Sequence, residues 1–168
     1  MSTAQLDRRQ TGGEEIANTV SHGLGAALAM TALPLLVWRA AGLGTATDVV
    51  AASVFAGSML LLYGISALYH ALPHGRAKVW LNRLKHPLVS TGLYLAMGWV
   101  AVVAAAPLVA RMPVAGLVWL VAGGLSYTLG AVVFLLDNRI RYAHFVWHLF
   151  VLGGSVCHFF AAFWYAYG

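Results

Sequence analysis

Val114-Ala-Gly-Leu-Val-Trp-Leu-Val-Ala-Gly-Gly-Leu-Ser-Tyr-Thr-Leu-Gly-Ala-Val-Val-Phe-Leu-Leu136 carries no charged residue along its whole length. About 20 such residues are what a helix needs to cross a hydrocarbon core. Four further blocks approach the same character: roughly Ser21 to Ala41, Val49 to Leu72, Leu88 to Leu108 and Tyr142 to Tyr167. No alternation of polar and apolar residues runs along them, which excludes a β-barrel. In lipid, a helix is then the way each segment satisfies its own backbone groups. With 61% hydrophobic and 9% charged residues, the chain lies outside the range of soluble domains. The expected fold is an all-α membrane protein, a bundle of five transmembrane helices. A polar cytoplasmic tail covers residues 1–15 and a single helical membrane domain covers residues 16–168.

The tail holds Asp7, Arg8, Arg9, Glu14 and Glu15. The apolar run after it is too long for a cleaved signal peptide, so it reads as a retained first span. If the spans alternate, the tail and the loops Pro73 to Pro87 and Asp137 to Arg141 share one side. They hold Arg8, Arg9, Arg76, Lys78, Arg83, Lys85, Arg139 and Arg141, against Arg39 and Arg111 on the other. The positive-inside rule then predicts a cytoplasmic N-terminus and an external C-terminus. Topology alone accounts for the net charge of +5, so no nucleic-acid partner is implied. The stretch Gly75 to Lys85 interleaves basic residues with Val79, Trp80, Leu81 and Leu84. It reads equally as an amphipathic helix on the anionic leaflet or as a solvated loop.

Proline and glycine mark the architecture. Pro34 is expected to bend the first span, while Pro87 and Pro113 fall where helices begin. Gly123, Gly124, Thr128, Gly153 and Gly154 are expected to let helices approach closely. Trp38, Trp80 and Trp164 sit where interfacial belts form.

Polar residues inside apolar segments need a reason, because a membrane makes them costly. His144 and His148, four apart at the start of the last block, lie on one helical face. His70 ends the second block and arrives at the same predicted depth. Three neutral imidazoles with an open position suit a catalytic zinc ion. The bland alternative is a set of half-solvated interfacial histidines. Cys157 is the only cysteine, so thiolate clusters and intrachain disulfides are excluded. Ser66, one turn before His70, reads either as orienting the site or as bonding back to its own helix. Glu15, Asn18 and His22, spaced three and four apart, share one face at the start of the first span. Capping and solvation are the ordinary reading for Glu15, and a role for His22 stays open. His74 and His86 read as solvated, and His158 as a packed polar residue or a supporting partner.

Four stretches carry a resemblance: Glu14-Glu15-Ile-Ala-Asn18-Thr-Val-Ser-His22-Gly, Ser66-Ala-Leu-Tyr-His70, Tyr94-Leu-Ala-Met-Gly-Trp99, and His144-Phe-Val-Trp-His148-Leu-Phe with Ser155-Val-Cys-His158-Phe-Phe. The chain resembles the bacterial hemolysin III family, related to the progestin and adiponectin receptors and more distantly to alkaline ceramidases. The resemblance implies a seven-helix bundle holding zinc through His70, His144 and His148, with Ser66 beside the site. Against that pattern two spans look absent after Lys85. Arg83-Leu84-Lys85-His86 stands where an arginine-leucine-aspartate-histidine stretch is expected, so the acid beside the metal is missing. Asp48 falls on the far side, Asp137 lies in a loop, and Glu15 would have to reach across.

The functional expectation is a zinc-dependent hydrolase of ceramide-like lipid amides or esters. Glu15, His22 and Ser66 are its catalytic candidates and membrane lipids its partners. The alternatives are a non-enzymatic cytolytic or membrane-perturbing protein, or a receptor-like sensor, with structural zinc or none. Loss of two helices further predicts a homo-oligomer or a widened lateral opening.

Overall fold

The computed structural model describes residues 8, 10–73, 75, 78, 110 and 112–167. Among them, four helices are long and apolar enough to cross a membrane. These are α1 (Gly12–Leu43), α2 (Ala46–Ala71), α3 (Val114–Phe134) and α4 (Ala143–Tyr165), with no strand among the described residues. The expected count of five is thereby corrected to four among the described residues. Length and hydropathy qualify a segment for crossing, and four of the five blocks correspond to described helices. The block Leu88 to Leu108 lies outside the described residues, as do His74, Trp80, Lys85, His86 and Pro87.

α1 begins nine residues earlier than the apolar pattern suggests, because its polar start is capped and paired. Thr11 accepts from the Glu14 backbone N–H, and the Glu14 carboxylate accepts from Thr11 N at 2.8 Å, a reciprocal capping box. At about 1.5 Å per residue the 32-residue helix is about 48 Å long, so its first turns extend past a hydrocarbon core of about 30 Å. The helix continues through Pro34. A second capping box, Thr45 with Asp48, starts α2 immediately after Gly44 and closes the α1–α2 hairpin. A tight turn from Leu135 to Tyr142 joins α3 to α4, with Tyr142 left-handed at φ 60°. The two hairpins meet where α1 also packs along α4.

Residue distribution is that of a lipid-solvated bundle. Outward positions hold large apolar side chains such as Ile16 at 67% exposure, with Val54, Leu68, Val118 and Leu135 alike exposed. The buried set includes Glu14, Asn18, Ser21, His22, His70, Lys78, His148 and Ser155. Small residues allow the contacts: a Cβ on Gly25 would stand 2.7 Å from the Tyr63 ring, and one on Gly154 2.7 Å from Tyr127. Gly123 likewise packs on His158, whereas Gly124 meets nothing and Thr128 bonds back to the Gly124 carbonyl. Ser155 of α4 joins Tyr63 of α2 at 2.6 Å and Tyr127 of α3 at 2.9 Å, a polar knot across three helices. At the far end, Leu36, Ala40, Ala52 and Ala56 form an apolar core.

Candidate metal centre

Helix ends build the site. His70 sits in the last turn of α2, and His144 and His148 in the first two turns of α4. Glu15, Asn18, Ser21 and His22 come from the first three turns of α1. One potential ligand atom from each of His70, His144 and His148 lies within 4.8 Å of the others. The three rings meet edge to face, with centroids 4.7 to 5.2 Å apart. With zinc–nitrogen distances of about 2.0–2.1 Å in a tetrahedral site, ligand atoms stand about 3.3–3.4 Å apart, so ligand atoms up to 4.8 Å apart draw inward on binding an ion.

Each ring is held by its Nδ1. His70 Nδ1 lies 2.8 Å from Glu15 Oε2, and His144 Nδ1 lies 2.9 Å from Asp137 Oδ2. A carboxylate only accepts, so both rings carry hydrogen on Nδ1. His148 Nδ1 lies 3.1 Å from Ser21 Oγ, whose hydroxyl already donates to the Asn18 carbonyl at 3.0 Å. Ser21 therefore accepts from His148, which is again the Nδ1–H tautomer. All three Nε2 atoms keep a lone pair, as metal ligands must, with the second nitrogen anchored as ligating imidazoles normally are. His148 is fully buried, and its Nε2 has no hydrogen-bond partner among the described residues. A bare nitrogen at 0% exposure fits a bound cation and is otherwise costly.

The flanking charges tie the site to both hairpins. Glu15 reaches His70 with one oxygen and accepts from Lys78 Nζ at 2.6 Å with the other, so it is a half-buried bridge and not a solvated cap. Glu14 is the capping acid. It also accepts from Arg8 at 2.7 Å and from the Tyr142 backbone N–H at 2.8 Å, while Arg8 donates to the Asp137 carbonyl. That pairing with Glu14 raises the Arg8 guanidinium above its ordinary range. The start of α1 thus clamps the turn that carries Asp137 and leads into His144.

Of the expected catalytic candidates, Glu15 supports His70, while Ser66 bonds His22 Nδ1 at 2.7 Å and makes no hydrogen bond to a clustered histidine among the described residues. His22 stacks on His148. His158 is a packed polar residue, edge-on to Tyr127 and 3.3 Å from the Leu120 carbonyl. Sequence reading missed Asp137 and Ser21. Asp137 was set aside as a loop residue, though its seven-residue separation from His144 across a turn is the signal that would have found it. Ser21 lies one residue from His22 and carried no signal of its own. A cavity of about 400 Å³ opens beside the centre between α1 and α2, lined by Glu15, Ile16, Thr19, Val20, His70 and Leu72 among others.

Spanning helices with a polar interior and a three-histidine cluster define a multi-pass integral membrane protein with a candidate metal centre. The haemolysin-III related family model matches residues 11–86 and 74–159, and the chain belongs to that family. It is similar to the Hemolysin-3 homolog of Bacillus subtilis (strain 168), 32% identical over 201 residues covering 90% of this chain and 94% of the relative. Hemolysin-3 of Bacillus cereus is also 32% identical, over 90% of this chain and 91% of its own length. Monocyte to macrophage differentiation factor of Homo sapiens is 38% identical over 94 residues, 55% of this chain and 38% of that protein. No solved structure matches. The Bacillus subtilis alignment is longer than this 168-residue chain, and 90% coverage leaves about 50 aligned positions without a counterpart here. That is the length of two spans of about 20 residues with a connection, and the two family matches overlap at residues 74–86.

Proposed function

We propose that the protein is a zinc-dependent hydrolase of ceramide-like lipid amides, with its site at the cytoplasmic face of the bacterial inner membrane. The single observation that carries this reading is the common anchoring of His70, His144 and His148, each held at Nδ1, with one potential ligand atom of each within 4.8 Å of the others. Zinc bound there supplies Lewis acidity and lowers the pKa of water towards neutrality. The chain's own residues hold the ligands neutral and oriented, and the apolar surroundings keep bulk water out. The cavity beside Glu15 and His70 faces the lipid side through Ile16 and Val20, which suits a substrate arriving from the bilayer. Hydrolysis adds water across the amide, releasing a fatty acid and an amine.

Purified protein is expected to carry about one zinc ion per chain and the His144→Ala, His148→Ala double variant almost none, by elemental analysis. Equal zinc in both sinks the centre. Incubation of the wild type with long-chain ceramides is expected to release fatty acid, and its absence despite bound zinc sinks the hydrolase. The names of the Bacillus relatives favour a second reading, a membrane-perturbing protein. It fits the engagement of both nearby carboxylates, Glu15 and Asp137, with imidazoles. Dye release from vesicles that is equal for wild type and double variant is its expected signature.

A further inference from the structure

A fourth imidazole lies against the cluster without joining it. His22 is 2% exposed. Its ring lies flat on His148, with centroids 3.4 Å apart and planes within 9°. Its Nε2 has no hydrogen-bond partner among the described residues. A buried polar atom left bare costs about 1–3 kcal/mol, so its persistence calls for a ligand or a role.

The other nitrogen identifies that role. His22 Nδ1 lies 2.7 Å from Ser66 Oγ. Ser21 has two partners, but Ser66 has this one bond among the described residues, so no second acceptor there competes for its hydroxyl hydrogen. An imidazole that accepts at Nδ1 carries its hydrogen on Nε2. Donation from Ser66 would make His22 the opposite tautomer to His70, His144 and His148, with its bare atom a donor. A donor does not ligate a cation. One stacking gap separates its ring from that of His148, a member of the cluster. Tyr63, edge-on at 5.0 Å, and Trp147 at 6.4 Å wall the ring from solvent, where a fixed donor acts most strongly.

We infer that His22, set by Ser66, donates from Nε2–H to the carbonyl oxygen of an amide or ester bound at the histidine cluster, stabilising the charge that develops there. The role rests on the hydrolase reading above. It makes Ser66 a positioning residue acting through His22, and not a partner of the metal-binding imidazoles.

Protein labelled with ¹⁵N-histidine, reconstituted in nanodiscs, tests the tautomer through two-bond ¹H–¹⁵N correlations. The ring whose signals vanish in His22→Phe is expected to be Nε2–H, and the three clustered rings Nδ1–H. His22→Phe is expected to keep the zinc of the wild type. Calorimetric titration of the zinc-loaded protein with a fatty hydroxamate, whose carbonyl oxygen stands in for the substrate's, is expected to show about tenfold or more weaker binding in His22→Phe. Ser66→Ala, which leaves the ring in place, is expected to weaken binding in the same direction. An Nδ1–H ring at His22, loss of zinc from His22→Phe, or hydroxamate affinity that is absent or unchanged overturns the inference. A wild type that binds zinc and hydroxamate but releases no fatty acid sinks the hydrolase reading alone. A wild type without zinc sinks the metal centre, while the tautomer at His22 is still decided by the same spectrum.

Discussion

Glu15 spends its two oxygens on different elements, His70 at the end of α2 and Lys78 beyond it. Its spacing from Asn18 and His22 was legible in the sequence, because three- and four-residue intervals share a helical face. Its partners were not, since they lie 55 and 63 residues away and are met only when α1 and α2 pack. Carboxylates that orient ligating imidazoles typically carry 10–100-fold in metal affinity. Glu15→Gln and Asp137→Asn are each expected to weaken zinc binding by about that factor in competition with a chromophoric chelator. Unchanged affinity would remove them from the site. Glu15→Ala also strands the Lys78 ammonium at 6% side-chain exposure, and breaking such a buried pair costs about 3–5 kcal/mol. Glu15→Ala with Lys78→Met is therefore expected to be more stable than Glu15→Ala alone, read from denaturation in detergent.

Helices were the most legible scale. The blocks at Val49 to Leu72, Val114 to Leu136 and Tyr142 to Tyr167 fall within a few residues of α2, α3 and α4. The start of α1 was misjudged because hydropathy counts Glu14 as a reason to stop, whereas a capping acid begins a helix. Which glycines carry packing was also hidden, since composition does not say which face meets a neighbour. Gly25→Ala would drive a Cβ to 2.7 Å from the Tyr63 ring. Overpacking of this kind costs about 1–3 kcal/mol. Gly23, with nothing within 4 Å, is its control. Gly23→Ala is expected to be neutral or slightly stabilising, by up to about 1 kcal/mol of helix propensity. Thermal unfolding in detergent compares the two, and equal midpoints would contradict the close α1–α2 approach.

At the scale of the molecule, the site joins both hairpins. His70 comes from the first and His144 and His148 from the second, while α1 contributes Glu15 and Ser21, which hold His70 and His148, and Glu14, which clamps the turn before His144. A cation bound there stabilises the assembly by about 2.7 kcal/mol when present at a hundred times its dissociation constant. Chelation is therefore expected to lower the unfolding temperature of the wild type and leave His148→Ala unmoved. A shift of equal size in both would mean that the ion acts elsewhere.

Apolar length by itself determined that this is a helical membrane protein. The four-residue spacing of His144 and His148 determined that two imidazoles share a face, because both features are local and repeat with the helix. Topology brought His70 to their depth, but tertiary structure alone decided that it meets them, that Glu15, Asp137 and Ser21 hold the three rings, and that Ser66 bonds His22. Those are contacts between distant segments, and a hydrogen bond's direction depends on every partner the hydroxyl and the ring have at once.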